Sequence, residues 1–155
     1  MFKRFQANMQ YGHKMESRVL EYLGDFVKAE FAPKNRSFKE WDIKLMMKDE
    51  STETYEIKAD RSCIRTGNFF IKSGDELNRP AGIRTSKADY YVLIKADAGD
   101  NIICVYVIDT ESLRDLEHNN QCKRMGPPYS ENYGFLLPEK TLEKMAEDHA
   151  VNERI

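Results

Sequence analysis

A chain of 155 residues, 41% hydrophobic and 32% charged, is long enough for one domain with a packed core, which excludes a disordered tract, a repeat array and a disulfide scaffold. Its 24 Lys and Arg stand against 26 Asp and Glu, a formal net charge of −2, so an anionic substrate would have to be held by a local patch rather than by the chain as a whole. No run approaches the roughly 18 apolar residues of a membrane span. The start, MFKRFQANMQYGHK, has no signal-peptide core. The expectation is a soluble, cytoplasmic single domain over residues 1–155 with no membrane partner, in which Cys63, Cys104 and Cys122 are reduced thiols and Cys104 lies in the core.

In chain order, HKMESRVLEYLGDFVKAEF repeats Met15, Val19, Leu20, Leu23, Phe26 and Val27 at three- and four-residue intervals. That spacing predicts an amphipathic helix ending before Pro33. SFKEWDIKLMMK and TETYEIKAD, separated by Asp49-Glu50-Ser51-Thr52, read as a β-hairpin. TGNFFIK is a third strand. SGDELNRPAGIRTSK, punctuated by Gly74, Pro80 and Gly82, reads as loop with at most a short helix near residues 85–89. ADYYVLIKA and NIICVYVID form a second hairpin, apolar enough to be central strands covered on both faces. A polar helix ESLRDLEHN, an irregular MGPPYSENYG segment and a helix from Thr141 through Val151 complete the chain. The fold class expected is α/β, with a mixed central sheet of about five strands flanked by helices.

Residues two apart on a strand share a face. Glu56 and Lys58 therefore lie opposite Tyr55, Ile57 and Ala59, and Asp42, with Lys44 and Met46, lies opposite Trp41, Ile43 and Leu45. Two carboxylates from neighbouring strands can converge beside one lysine. Carboxylate oxygens are the hard ligands that Mg²⁺ prefers, and a lysine nearby offsets charge developing on a phosphate. The combination suits phosphodiester hydrolysis.

Asp42, thirteen intervening residues and then Glu56-Ile57-Lys58 resemble the motif of the PD-(D/E)XK nuclease superfamily, whose fold is restriction-endonuclease-like. Trp41 stands where a proline often precedes the aspartate. The resemblance runs from about residue 12 to residue 109, with Glu16 at the first-helix glutamate position. It implies that Asp42 and Glu56 are direct ligands of Mg²⁺ (Mn²⁺ substituting), with the Ile57 carbonyl a third and Glu16 an outer one. Lys58 would be the catalytic lysine. It further implies a divalent-metal-dependent DNA endonuclease leaving 5′-phosphate ends.

If that topology holds, Arg65, Lys72, Arg84 and Lys87 are candidates for phosphate contacts, and Thr85 and Ser86 for further hydrogen bonds to the backbone of the nucleic acid. With Arg61 and Arg79 these cations outnumber Asp75 and Glu76 between positions 61 and 87. His13, three residues before Glu16, reads as a helix-start surface residue, and His118 and His149, in polar contexts, read as surface residues. As a ligand, His13 would match the histidine of cap-snatching RNA endonucleases within the superfamily. One of Tyr90 and Tyr91 must alternate into the core. Two other readings stay open: a Mn²⁺-dependent RNA endonuclease, and a non-catalytic nucleic-acid-binding or assembly protein on the same fold. A homodimer, or a protein partner, would extend the reach of so small a domain.

Overall fold

The computed structural model describes residues 14–33, 38, 40–148 and 152–154. Helix α1 covers residues 14–19 and tightens into a 3₁₀ turn at Leu20–Tyr22. It stops there because Gly24 adopts φ +84°, a left-handed conformation that glycine takes without steric cost. The helix expected as far as Phe31 is therefore too long. The Val27 amide is captured by the Met46 carbonyl at 2.8 Å, and Lys28–Phe31 become strand β1. His13 and His149 lie outside the described residues.

β2 (Ile43–Met46) and β3 (Thr52–Asp60) form the expected hairpin. The Asp60 carboxylate then accepts the amides of Ser62 and Cys63 at 2.7 and 3.0 Å, which starts the short helix α2 (Cys63–Thr66). β4 (Asn68–Gly74) follows, and a 3₁₀ turn at Gly82–Arg84 replaces the short helix expected near residues 85–89. β5 (Tyr90–Ala96) and β6 (Ile102–Asp109) form the second hairpin. Asp109 caps α3 (Thr110–His118) by accepting the Ser112 amide at 3.0 Å. The remaining elements are β7 (Lys123–Met125), β8 (Tyr133–Pro138), α4 (Glu139–Asp148) and β9 (Asn152–Arg154). Helix α4 begins two residues before the expected Thr141.

The main sheet is mixed and runs β1-β2-β3-β5-β6, with β9 added at the far edge. β3 and β5 are parallel, with Glu56 beside Tyr91 and Asp60 beside Lys95. The other neighbours in this sheet are antiparallel. β4 does not join the main sheet, as a third strand of the central layer would. It pairs with β8 in a second sheet of order β4-β8-β7.

Alternation along β5 shows why its sequence is nearly all apolar. Val92, Ile94 and Ala96 face α1 in a core with Met15, Val19, Ile43, Leu45, Tyr55 and Ile57. Tyr91 and Leu93 face the other way, into a core shared with Ile71 and Phe135 of the second sheet, Leu113 and Leu116 of α3, and Leu142 of α4. Both faces of the strand are thereby removed from water. Cys104 and Cys63 are buried on this second side. No helix among the described residues is long and apolar enough to cross a membrane.

Candidate active site

The site is a fork between β2 and β3. The two strands pair from Met46 opposite Thr52 to Ile43 opposite Tyr55, and the Asp42 amide still donates to the Tyr55 carbonyl at 2.8 Å. Beyond that point β3 runs on against β5, while β2 has ended. The Asp42 side chain spans the gap, its Oδ2 accepting the Ile57 amide at 2.7 Å. Tyr55 and Ile57 direct their backbone polar groups to the same edge, so the Ile57 carbonyl also faces the opening.

Ile43, Leu45, Tyr55 and Ile57 are buried against α1, which turns Asp42, Glu56 and Lys58 to the opposite face, as period-two alternation requires. Lys58 Nζ lies 3.3 Å from Glu56 Oε1. The Glu56 side chain is 16% exposed and that of Lys58 48%, so the carboxylate is the inner partner and the ammonium reaches toward solvent. Burial pushes the Glu56 carboxyl above its ordinary range, opposed by Lys58 and reinforced by the negative charges of Asp42 and Glu16. Partial burial would lower Lys58, but Glu56, Asp42 and Glu16 outweigh it and hold the ammonium charged. Glu16 and Asp42, distant in sequence from the Glu56–Lys58 pair, thus act on both of its members as parts of one electrostatic unit.

Glu16 joins this unit from α1, whose placement has a visible cause. Lys14 Nζ lies 3.3 Å from Asp100 Oδ2, and Arg18 donates to the Asp100 carbonyl oxygen. Arg61, immediately after β3, contacts the other Asp100 oxygen at 2.5 Å. Desolvation acts to raise the Asp100 carboxyl, and the hydrogen bonds from Arg61 and Lys14 more than reverse this and keep it below the usual range. The turn between β5 and β6 therefore anchors both α1 and the end of β3. Lys14, Arg18 and Asp100 carry no local signal in the sequence, because their contacts span 82 and 86 residues.

The candidate phosphate-contact residues are distributed unevenly. Lys87 lies against the segment entering the site: its amide donates to the Glu40 carbonyl at 3.2 Å and its Nζ lies 3.4 Å from the Glu40 carboxylate. Arg84 pairs with Glu117 of α3 at 2.5 Å. Arg65 on α2, Lys72 on β4 and Thr85 are exposed. Ser86 is buried, its hydroxyl accepting the Ala88 amide at 3.2 Å and its carbonyl accepting from Arg114. Tyr91 is the tyrosine that enters the core, while Tyr90 stacks on Tyr55 with ring centroids 5.4 Å apart. His118 is exposed at the end of α3.

Among the described residues, no group of three or more His, Cys, Asp or Glu is gathered as a metal cage. What the fork offers is a pair of carboxylates, Asp42 and Glu56, with Glu16 acting on Glu56 through space. No protein-family model matches the chain, and no curated protein matches it.

Proposed function

We propose that the chain is a divalent-metal-dependent endonuclease that hydrolyses phosphodiester bonds of DNA, on a restriction-endonuclease-like fold. The observation that carries this reading is the convergence of Asp42, Glu56 and Lys58 on one face of the β2–β3 fork. The succession of α1, the β1-β2-β3 meander and a β5 strand parallel to β3 supports it. The crossover differs from a single returning helix, since the chain passes through α2, β4 and the Gly82–Arg84 turn before reaching β5.

The donor set fits a hard cation. Mg²⁺ takes one or two carboxylates and keeps much of its hydration, so Asp42 and Glu56 suffice where a thiolate or imidazole cage would be needed for zinc. Burial first, and then the negative charges of Asp42 and Glu16, raise Glu56, and a divalent charge would relieve the repulsive part of this. Asp42, Glu56 and the Ile57 carbonyl would hold Mg²⁺ or Mn²⁺, with Glu16 in an outer position. When bound, such a cation supplies Lewis-acid polarisation of the scissile phosphate and acidifies water.

The chain's own groups do the rest. Lys58, kept charged by its three carboxylate neighbours, offsets negative charge building on the phosphoryl oxygens and orients the incoming water. The Ile57 amide fixes the Asp42 carboxylate through Oδ2, leaving Oδ1 for the site. Lys87, beside Glu40 on the segment entering the fork, would meet a neighbouring phosphate, which adds affinity without reading sequence. In this reading water adds to phosphorus as the bond to the 3′ oxygen breaks, and a proton released by the water ends on that oxygen, leaving a 5′-phosphate and a 3′-hydroxyl.

The test is incubation with supercoiled plasmid, branched DNA, single-stranded DNA and RNA, each in Mg²⁺, Mn²⁺ or EDTA. DNA should be cut with either metal and left intact in EDTA, and Lys58→Ala should slow cleavage by roughly a hundredfold or more. Equal cleavage by Lys58→Ala contradicts the assignment, and cleavage of RNA alone replaces the substrate.

A further inference from the structure

We propose that β1 is a self-complementary edge through which two copies of this chain join their main sheets. Among the described residues β1 is the terminal strand of the sheet, and Val27, just before it, and Phe31, at its end, are 65% and 43% exposed. An exposed edge of this kind is a template for pairing with another strand. The phase of its hydrogen bonds is set by the Ala32 amide, which donates to the Asp42 carbonyl at 2.8 Å. Lys28 and Glu30, in step with Ala32, turn their backbone groups toward β2, and Ala29 and Phe31 turn theirs outward.

The segment Val27-Lys28-Ala29-Glu30-Phe31 matches itself when reversed. Centred on Ala29 in an antiparallel two-fold pair, Lys28 of one copy faces Glu30 of the other, twice. Val27 likewise faces Phe31, twice. Ala29, whose backbone points outward, then forms the reciprocal hydrogen-bonded pair on the axis, and the Phe31 amide reaches the Val27 carbonyl of the second copy. The Val27 amide is already used by Met46 and does not take part.

Other registers are penalised. Shifting the centre to Glu30 opposes Glu30 with Glu30, and shifting it to Lys28 opposes Lys28 with Lys28, both unfavourable directly across a strand pair. The contact ends at Pro33, which has no amide to donate. A segment this short gives a weak dimer, dissociating in the micromolar range or above. The two-fold runs perpendicular to the joined sheet, so Asp42, Glu56 and Lys58 of both copies open on the same side. Their β3 strands lie five strand spacings apart, about 24 Å. The pairing itself does not depend on the proposed nuclease activity.

Sedimentation equilibrium of the full chain, from micromolar to millimolar concentration at low salt, tests this with two variants. Lys28→Glu leaves two carboxylates facing each other, and Glu30→Lys leaves two ammonium groups, so each alone should dimerise at least about tenfold more weakly than the wild type. Mixed in equal amounts, the two variants restore both opposite-charge pairs, and a heterodimer should form at least as tightly as the wild-type homodimer. Because the rescue is a gain of association, loss of folding in a variant cannot imitate it. A wild-type chain that stays monomeric overturns the proposal. So does a dimer indifferent to both substitutions, or a mixture no more associated than its components.

Discussion

The Asp42 carboxylate accepts the Ile57 amide at 2.7 Å at the point where β2 stops pairing with β3. A side chain takes over from a backbone carbonyl there, and the other oxygen of that side chain would serve the proposed cation. The bond serves the fold and the site at once, and substitutions can separate the two.

Asp42→Asn keeps an oxygen that can accept the Ile57 amide and removes the negative charge. Its stability should stay within about 1 kcal/mol of the wild type, while DNA cleavage falls by roughly a hundredfold or more. Asp42→Ala leaves the Ile57 amide without its acceptor, and should lose the same activity together with about 1–3 kcal/mol of stability. Urea unfolding alongside a cleavage assay distinguishes the two. Equal stabilities for the Asn and Ala variants would show that the hydrogen bond contributes nothing.

Glu56 gives a pH dependence of defined sign. Its folded-state pKa lies above the ordinary 4.5, first because it is buried. The folded state thus binds this proton more tightly than the unfolded chain. The resulting contribution to stability is fully present below about 4.5 and is lost as the pH rises through the elevated folded value. Glu56→Gln has no such titration, and the pair it breaks involves a half-exposed lysine of small energetic weight. In metal-free protein the variant should gain stability relative to the wild type as pH rises from the acid range to neutrality. Urea midpoints measured in EDTA at several pH values check this, and a wild-type advantage that grows with pH contradicts it.

Gly82 tests the crossover that delivers the chain to β5. Its φ is +55°, and a Cβ there would stand 2.1 Å from the Lys72 carbonyl oxygen. Backbone cannot yield as a side-chain tip can, so Gly82→Ala should cost more than about 2 kcal/mol. The same change at Gly67, where φ is +74° and a Cβ meets nothing within 4 Å, carries the conformational cost alone and should be milder. Thermal unfolding of the two variants side by side makes the comparison.

Period-two alternation in the sequence is enough to put Asp42, Glu56 and Lys58 on one face, because each lies in or beside a strand whose other face is apolar. β5 and β6 are legible for a related reason: a strand covered on both faces must be apolar throughout. β1 is not, since Lys28-Ala29-Glu30-Phe31 continues the helical spacing of the preceding residues and only the φ of Gly24 ends the helix. β4 is legible as a strand but not as part of a second sheet, because its partner β8 lies far along the chain in an unremarkable Tyr-Gly-Phe-Leu-Leu-Pro run. The pairing of Arg84 with Glu117 and of Lys87 with Glu40 is equally hidden, each being a contact across the fold.

The central claim is that Asp42 and Glu56 together hold a divalent cation at the fork, and titration calorimetry with Mn²⁺ tests it most directly. The wild type should bind Mn²⁺ saturably, more tightly as pH rises and Glu56 ionises, and Glu56→Gln and Asp42→Asn should each weaken that binding by about tenfold or more. A wild-type chain that binds no Mn²⁺ at neutral pH, or binds it equally well without either carboxylate, would contradict the account.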